Sequence, residues 1–345
     1  MNHSLRLLLP LLLCATACRS TVDTSATLEQ IVKTRQAAAL HVRERGEPRA
    51  LLRIGQKTFR SNAALDQWYD ADYSFFGALP AVAFEGEDVL VMTGDVVVGG
   101  SRNEPEVVQV SRLWRQADDG VDELIFETSD VILGSFAPLG NGYCLAIRYA
   151  GSAEEGRRFG TALLRYSDDA IGNLSLTGFE HASQLVIDPA DQVPVVLGQR
   201  RSGDAHEWGL YRLEGAERRP KLWEPRVVAP SFSEQGRRMA FAWQSDREAA
   251  RSGREFDDGP HERVTVLDRE TGAGRHLDTG LDVIATSFDP RDAFRLYALG
   301  TIIESDEVDW ELLAIELEGN QLNVIARDPF PPRSSEPDWR KRLSD

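Results

Sequence analysis

Cysteine is scarce in this chain: Cys14, Cys18 and Cys144 are its whole complement. So few thiols exclude a disulfide-built scaffold. Long apolar runs are missing too, since none reaches the ~20 residues that a membrane-spanning helix requires. Cations are outnumbered, with 39 Lys and Arg against 55 Asp and Glu, a net charge of −16. That balance argues against nucleic acid as a partner, because no cationic excess exists to replace phosphate counterions. It argues equally against broad adhesion to anionic lipid. Several chemical signatures are absent from the sequence: no P-loop, no dinucleotide fingerprint, no H-E-x-x-H and no G-x-S-x-G elbow. What remains, 42% hydrophobic and 27% charged in 345 residues, is the composition of a folded body.

The first residues, MNHSLRLLLPLLLCATAC, carry one cation at Arg6, an apolar stretch from Leu7 to Leu13, and then small residues. This is the n-, h- and c-region pattern of an export signal, too short for an anchor. Ala15-Thr16-Ala17-Cys18 resembles a bacterial lipobox, with Ala15 where leucine is usual. The resemblance implies a signal peptide over 1–17 and lipid attachment at Cys18. Arg19 differs from the aspartate of inner-membrane retention, which points to the outer membrane, facing the periplasm. A lipidated Cys18 leaves Cys144 without a disulfide partner. Its run, Gly142–Ile147, reads as a strand that buries Cys144 as a small hydrophobe.

Residues 18–47 read as a tether followed by one helix. Leu28, Ile31, Val32, Ala38, Ala39 and Val42 fall at helical spacing, Thr27 and Gln30 form a capping box, and Gly46 with Pro48 supplies a stop. The expected helix runs from Thr27 to Arg45.

Beyond it the chain repeats. Six segments open alike at Phe84, Phe136, Ile187, Phe232, Phe288 and Trp339, at spacings of 52, 51, 45, 56 and 51. Later in each unit a second pattern follows: an alternating run, a turn at Gly120, Gly172, Gly215, Gly272 or Gly319, and another run. Two hairpins in about 50 residues are the four strands of a propeller blade. The sequence Pro230-Ser231-Phe232-Ser233-Glu234-Gln235-Gly236, followed by Met239-Ala240-Phe241, resembles the repeat of TolB-like propellers. Thr286–Pro290, Glu336–Trp339 and the hairpin Asp268–Gly272 match it in part. The resemblance implies an all-β, six-bladed propeller of four-stranded antiparallel blades over 48–345. The sixth unit starts at Pro337 and stops after a few residues, so strands from 48–79 are expected to complete it, closing the ring through both termini.

Connections between second and third strands are expected at 94–107, 150–160, 199–207, 245–262 and 300–309, all on one face. The 245–262 segment collects Arg247, Arg251, Arg254, Asp257, Asp258 and His261. With His206, which precedes Glu207 as His261 precedes Glu262, these residues form the candidate binding surface. The bland reading is a solvated insertion. Adjacent His-Glu pairs on a strand point to opposite faces, which disfavours a metal centre. No residue is assigned a catalytic role and no cofactor is expected. The functional expectation is a lipid-anchored binding or scaffold module that meets a protein or envelope component through the long-loop face. It touches membrane only through its N-terminal lipid and binds no nucleic acid. The competing reading is a channel-centred, metal-dependent hydrolase or lactonase.

Overall fold

The computed structural model describes residues 38–54, 57–71, 81–101, 104–116, 122–129, 132–150, 159–167, 170–202, 205–214, 219–243, 260–303 and 310–330. Every regular element among them is a strand. Blade 1 comprises β1 (Ala38–Val42), β2 (Ala50–Ile54), β3 (Lys57–Ser61) and β4 (Trp68–Ala71). Blade 2 comprises β5 (Ala81–Glu85), β6 (Asp88–Ser101), β7 (Glu104–Gln116) and β8 (Asp122–Ser129). Blade 3 follows as β9 (Ile132–Leu139), β10 (Gly142–Ala150), β11 (Phe159–Ser167) and the first part of β12 (Ala170–Asp188). The rest of β12 opens blade 4, which continues with β13 (Val193–Ser202), β14 (Ala205–Glu214) and β15 (Arg219–Pro225). Blade 5 is β16 (Val227–Phe232), β17 (Arg238–Trp243), β18 (Arg263–Asp268) and β19 (Gly274–Asp278). Blade 6 is β20 (Leu281–Asp289), β21 (Asp292–Ile302), β22 (Trp310–Glu318) and β23 (Gln321–Phe330).

All pairings are antiparallel between sequence neighbours, which gives four four-stranded sheets and one of seven. The seven-stranded sheet is two blades joined by β12. Its early residues pair with β11 (Ser167↔Ala170) and its late ones with β13 (Asp188↔Val193). The chain is therefore a six-bladed propeller of four-stranded antiparallel blades.

Two expectations are corrected. Residues 38–42 are not helical: Ala38 pairs with Ile54 and Val42 with Ala50. Leu40 packs toward blade 6 with Ala285 and Leu299, so this short strand takes its conformation from partners far along the chain. The remainder of the expected helix, 27–37, lies outside the described residues. Blade 1 also draws all four strands from residues 38–71, so the boundary expected at 47/48 falls inside its first turn. It needs no strand from the Pro337–Trp339 segment, which lies outside the described residues. The inner strand assigned to the far terminus is β1, hidden by its helix-like spacing.

The core is divided by seam. Each of six apolar clusters joins one blade to the next, from Leu51 with Val82 and Val91 at blades 1/2 to Leu40 and Leu52 with Leu299, Leu312 and Phe330 at blades 6/1. Cys144 is fully buried in the 3/4 cluster with Leu163 and Tyr211. Sheet faces must be apolar on both sides to pack this way, which accounts for the continuous runs in inner strands.

Guanidinium groups fasten the seams at the end where the tight turns lie. Arg43 donates to the Glu87 carbonyl and sits 4.9 Å from the centre of the Phe84 ring, across 1/2. Arg115 bonds Glu85 at 2.9 Å and the Tyr143 hydroxyl at 2.8 Å, across 2/3. Arg269 meets Asp188 across 4/5, and Arg238 reaches the Ala293 carbonyl at 3.3 Å across 5/6. Arg49 meets Asp289 at 2.7 Å across 6/1, with both side chains almost wholly buried. The 3/4 seam uses Ser135 instead, whose hydroxyl accepts from Leu185 N at 3.2 Å. The planar five-donor guanidinium suits these forked, ring-stacked positions better than an ammonium does. In the whole chain only Lys33, Lys57, Lys221 and Lys341 are lysines.

Candidate functional site

Antiparallel order places first-to-second and third-to-fourth turns at one end of the ring. Second-to-third connections and blade links lie at the other. The looped end holds the one sequence-proposed binding residue whose side chain is described, His261. It immediately precedes the link into β18 and is 1% exposed. Its backbone N–H donates to Asp282 Oδ1 at 2.7 Å, its Nδ1 lies 3.2 Å from the same oxygen, and its carbonyl accepts from Val283 N at 3.1 Å. Glu262 adds its carbonyl as acceptor for Thr279 N–H at 2.9 Å and Thr279 Oγ1 at 2.8 Å. Blade 5 is thus latched to the start of blade 6. His261 anchors the loop base and does not stand on the surface, because its backbone and ring share one carboxylate.

Arg247, Arg251, Arg254, Asp257 and Asp258 lie outside the described residues. His206 lies on β14, opposite Arg201 in the blade 4 register, and its neighbour Glu207 is exposed. Nothing among the described residues brings His206 and His261 together. Among those residues no group of three or more His, Cys, Asp and Glu is placed to hold a metal ion. The expected loop at 94–107 is mostly ladder: β6 and β7 pair from Val89↔Gln116 out to Ser101↔Glu104. Gly99 and Gly100 read as a loop, yet here they extend a hairpin.

Two perturbed groups bear on chemistry. Burial, then the nearby charge of Arg53, lowers His41 on the inner strand of blade 1 to about 4, so it is a neutral imidazole at pH 7. Burial, then the hydrogen bond to Glu85, pushes the Tyr143 phenol up to about 12. It therefore acts as a donor in the 2/3 seam and not as a base.

The turn end carries a feature that sequence reasoning missed. A cleft of about 330 Å³ opens between blades 4 and 5, lined by Arg212, Glu214, Lys221, Leu222, Trp223, Leu267, Arg269 and Gly272. Behind it sits Asp188, fully buried, which takes a forked pair of bonds from Arg269 at 2.8 and 2.7 Å. Arg269 also donates to the Gly236 carbonyl at 2.6 Å. Arg212 pairs with Asp191 and lies 3.7 Å from Asp188. Both guanidinium groups lie against Trp223, at 5.7 Å for Arg212 and 5.1 Å for Arg269, and Trp223 stacks on Phe232 at 6.0 Å. In sequence these residues sit inside ordinary hairpin runs, and only the blade packing brings them together.

Neither a known protein family nor a curated protein matches the sequence. Solved structures of similar shape include the β-propeller domain of the Trilobed protease from Pyrococcus furiosus, described as having an open velcro topology. It shows 10% identity over 84% of this chain and 86% of that one, with a TM-score of 0.44. A gluconolactonase from Xanthomonas campestris shows 13% identity over 65% of this chain and 73% of that one, with a TM-score of 0.40. A puromycin hydrolase shows 13% identity over 88% of this chain and 47% of that one, with a TM-score of 0.43. At such distances the likeness is one of architecture and assigns no activity to this chain.

Proposed function

We propose that this chain is an exported, TolB-like propeller, lipid-anchored at Cys18 in the outer membrane, facing the periplasm. It works as a non-enzymatic binding module for a protein or envelope component. The observation that carries the reading is the latch at the looped end. His261, Asp282, Glu262 and Thr279 direct their hydrogen bonds into fixing the link between blades 5 and 6. A fixed blade link at the end of the ring where second-to-third connections leave the strands is a suitable base for recognition. The lipobox-like Ala15–Cys18 supports the anchor, and the net charge of −16 supports partners other than nucleic acid.

The test is one preparation of detergent-extracted full-length protein, analysed for metal by elemental analysis and for partners by mass spectrometry. The expected result is a reproducible protein partner without stoichiometric metal. A stoichiometric divalent metal would overturn the reading in favour of a channel-centred hydrolase or lactonase. Separately, Cys18→Ser should abolish incorporation of labelled fatty acid, and persistent labelling would refute the anchor.

A further inference from the structure

We infer that the cleft between blades 4 and 5 is a binding site for a small ligand with an oxyanion head, carboxylate or phosphate, and a flat apolar body. This site lies at the opposite end of the ring from the looped rim and stands independently of the rim's role.

Three observations carry it. The first is charge. The lining residues include three cations, Arg212, Lys221 and Arg269, and one carboxylate, Glu214, in a chain of net charge −16. Asp188 and Asp191 bring the wider cluster to balance, but Asp188 has no exposure and sits behind the guanidinium groups. The second is preorganisation. Arg269 is held by the fork to Asp188, by the Gly236 carbonyl and by two rings, Trp223 and Phe232 at 5.1 and 5.6 Å. Among the described residues Arg212 meets Asp191 through Nη2 and lies over Trp223, while its Nη1 is 4.0 Å from Glu214, too long for a hydrogen bond. Lys221 Nζ spends one contact on Glu214 at 3.2 Å, and its side chain is 69% exposed. Donors on Arg212 and Lys221 are thus available on either side of Glu214. An anionic head bridging them would replace contacts that are long or solvent-exposed. The third is shape. Trp223 and Leu267, both packed at the 4/5 seam, supply an apolar wall beside those donors, and Gly272 at the lip leaves the entrance open, with nothing within 4 Å of where a side chain would begin. A volume of about 330 Å³ is at the small-ligand end of the usual range.

The experiment is isothermal titration of the purified chain with benzoate, phenyl phosphate and benzamide. The first two test the two heads on one body, and the third removes the charge. The structure predicts saturable binding of at least one anion and none of benzamide; whichever anion binds tighter identifies the head. Lys221→Gln should weaken that binding about tenfold, and Arg212→Gln with Lys221→Gln should abolish it. Lys221 is exposed and, among the described residues, bonds Glu214 alone, so its variant is expected to fold and decides the matter should Arg212→Gln fail to. Binding of benzamide as tight as benzoate, failure of both anions to bind, or unchanged anion affinity in Lys221→Gln would each overturn the assignment.

Discussion

Removing Arg49 tests how the ring is closed. The Arg49–Asp289 pair joins the first blade to the last at 2.7 Å, with side-chain exposures of 5% and 1%. Breaking a buried pair from one side costs about 3–5 kcal/mol, because a charge is left inside without compensation. The structure places the two single variants at different points in that range. After Arg49→Met, Asp289 still accepts from Arg291 N at 3.0 Å, from the Arg291 side chain at 3.3 Å and from the Tyr297 hydroxyl at 3.3 Å. The expected loss is about 3 kcal/mol, the lower end. After Asp289→Asn, Arg49 keeps its charge, and no second carboxylate reaches it among the described residues. The expected loss is about 4–5 kcal/mol. In the double variant Arg49→Met/Asp289→Leu no orphan charge remains, so the losses should fall short of additivity by about 2 kcal/mol.

Equilibrium unfolding in urea, followed by tryptophan fluorescence and circular dichroism, measures all three. With a slope of about 3 kcal/mol/M, a loss of 3 kcal/mol moves the midpoint by about 1 M. Acid gives an internal control. Burial alone would raise the Asp289 carboxyl, but hydrogen bonds from Arg291 and the charge of Arg49 outweigh it and hold it below the ordinary value. A carboxyl lowered in the folded state contributes stability that is complete above about pH 4 and is lost as pH falls through the folded value. That part of the acid profile should vanish in Asp289→Asn. Losses below about 1 kcal/mol in both single variants, the worth of a surface pair, would refute the claim that this bridge closes the ring.

Three further outcomes follow from the same geometry. His41, lowered to about 4, leaves the unfolded chain to bind a proton first, so stability should fall as pH drops from about 6.5 to about 4; thermal melts of His41→Leu should lack that slope. Gly236 has φ +67° and a side chain there would meet Ala190 N at 2.8 Å, so Gly236→Ala should cost about 2–4 kcal/mol in urea unfolding by combining backbone strain with a clash across the 4/5 seam. Leu52→Ala, at a site with no exposure in the 6/1 cluster, should cost about 2–5 kcal/mol and lower the melting temperature, whereas Val324→Ala on the exposed outer strand of blade 6 should change it little.

The strands from about Pro80 onward were legible because each blade repeats its own local chemistry. Gly272 and Gly319 do adopt the positive φ their turns demand, and Cys144 is buried as its run suggested. Blade 1 was misread where local and distant signals conflict. Ala38–Val42 carries helix-compatible spacing, yet its neighbours Ala285 and Leu299 lie in the last blade. The seam bridges were invisible for the same reason: Arg49 and Asp289 are 240 residues apart, and nothing near either announces the other. At the candidate site, sequence reasoning found His261 but not its burial, since Asp282 reaches it from another blade. Arg212, Trp223 and Arg269 passed as hairpin residues, because only packing turns three separate runs into one cleft.

β12 carries a mechanical consequence. Its 19 residues run from the outer edge of blade 3 to the axis of blade 4, and although bulges interrupt its pairing on both sides, one sheet extends from β9 to β15. The six blades therefore form five separate sheets, and the ring has five joints. A joint between sheets yields by side chains sliding, whereas bending within a sheet must strain or break backbone bonds. Blades 3 and 4 should therefore move together more than other neighbouring blades do. Any slow breathing of the ring is then expected to fall mainly on the other joints, including the one that opens onto the arginine-lined cleft.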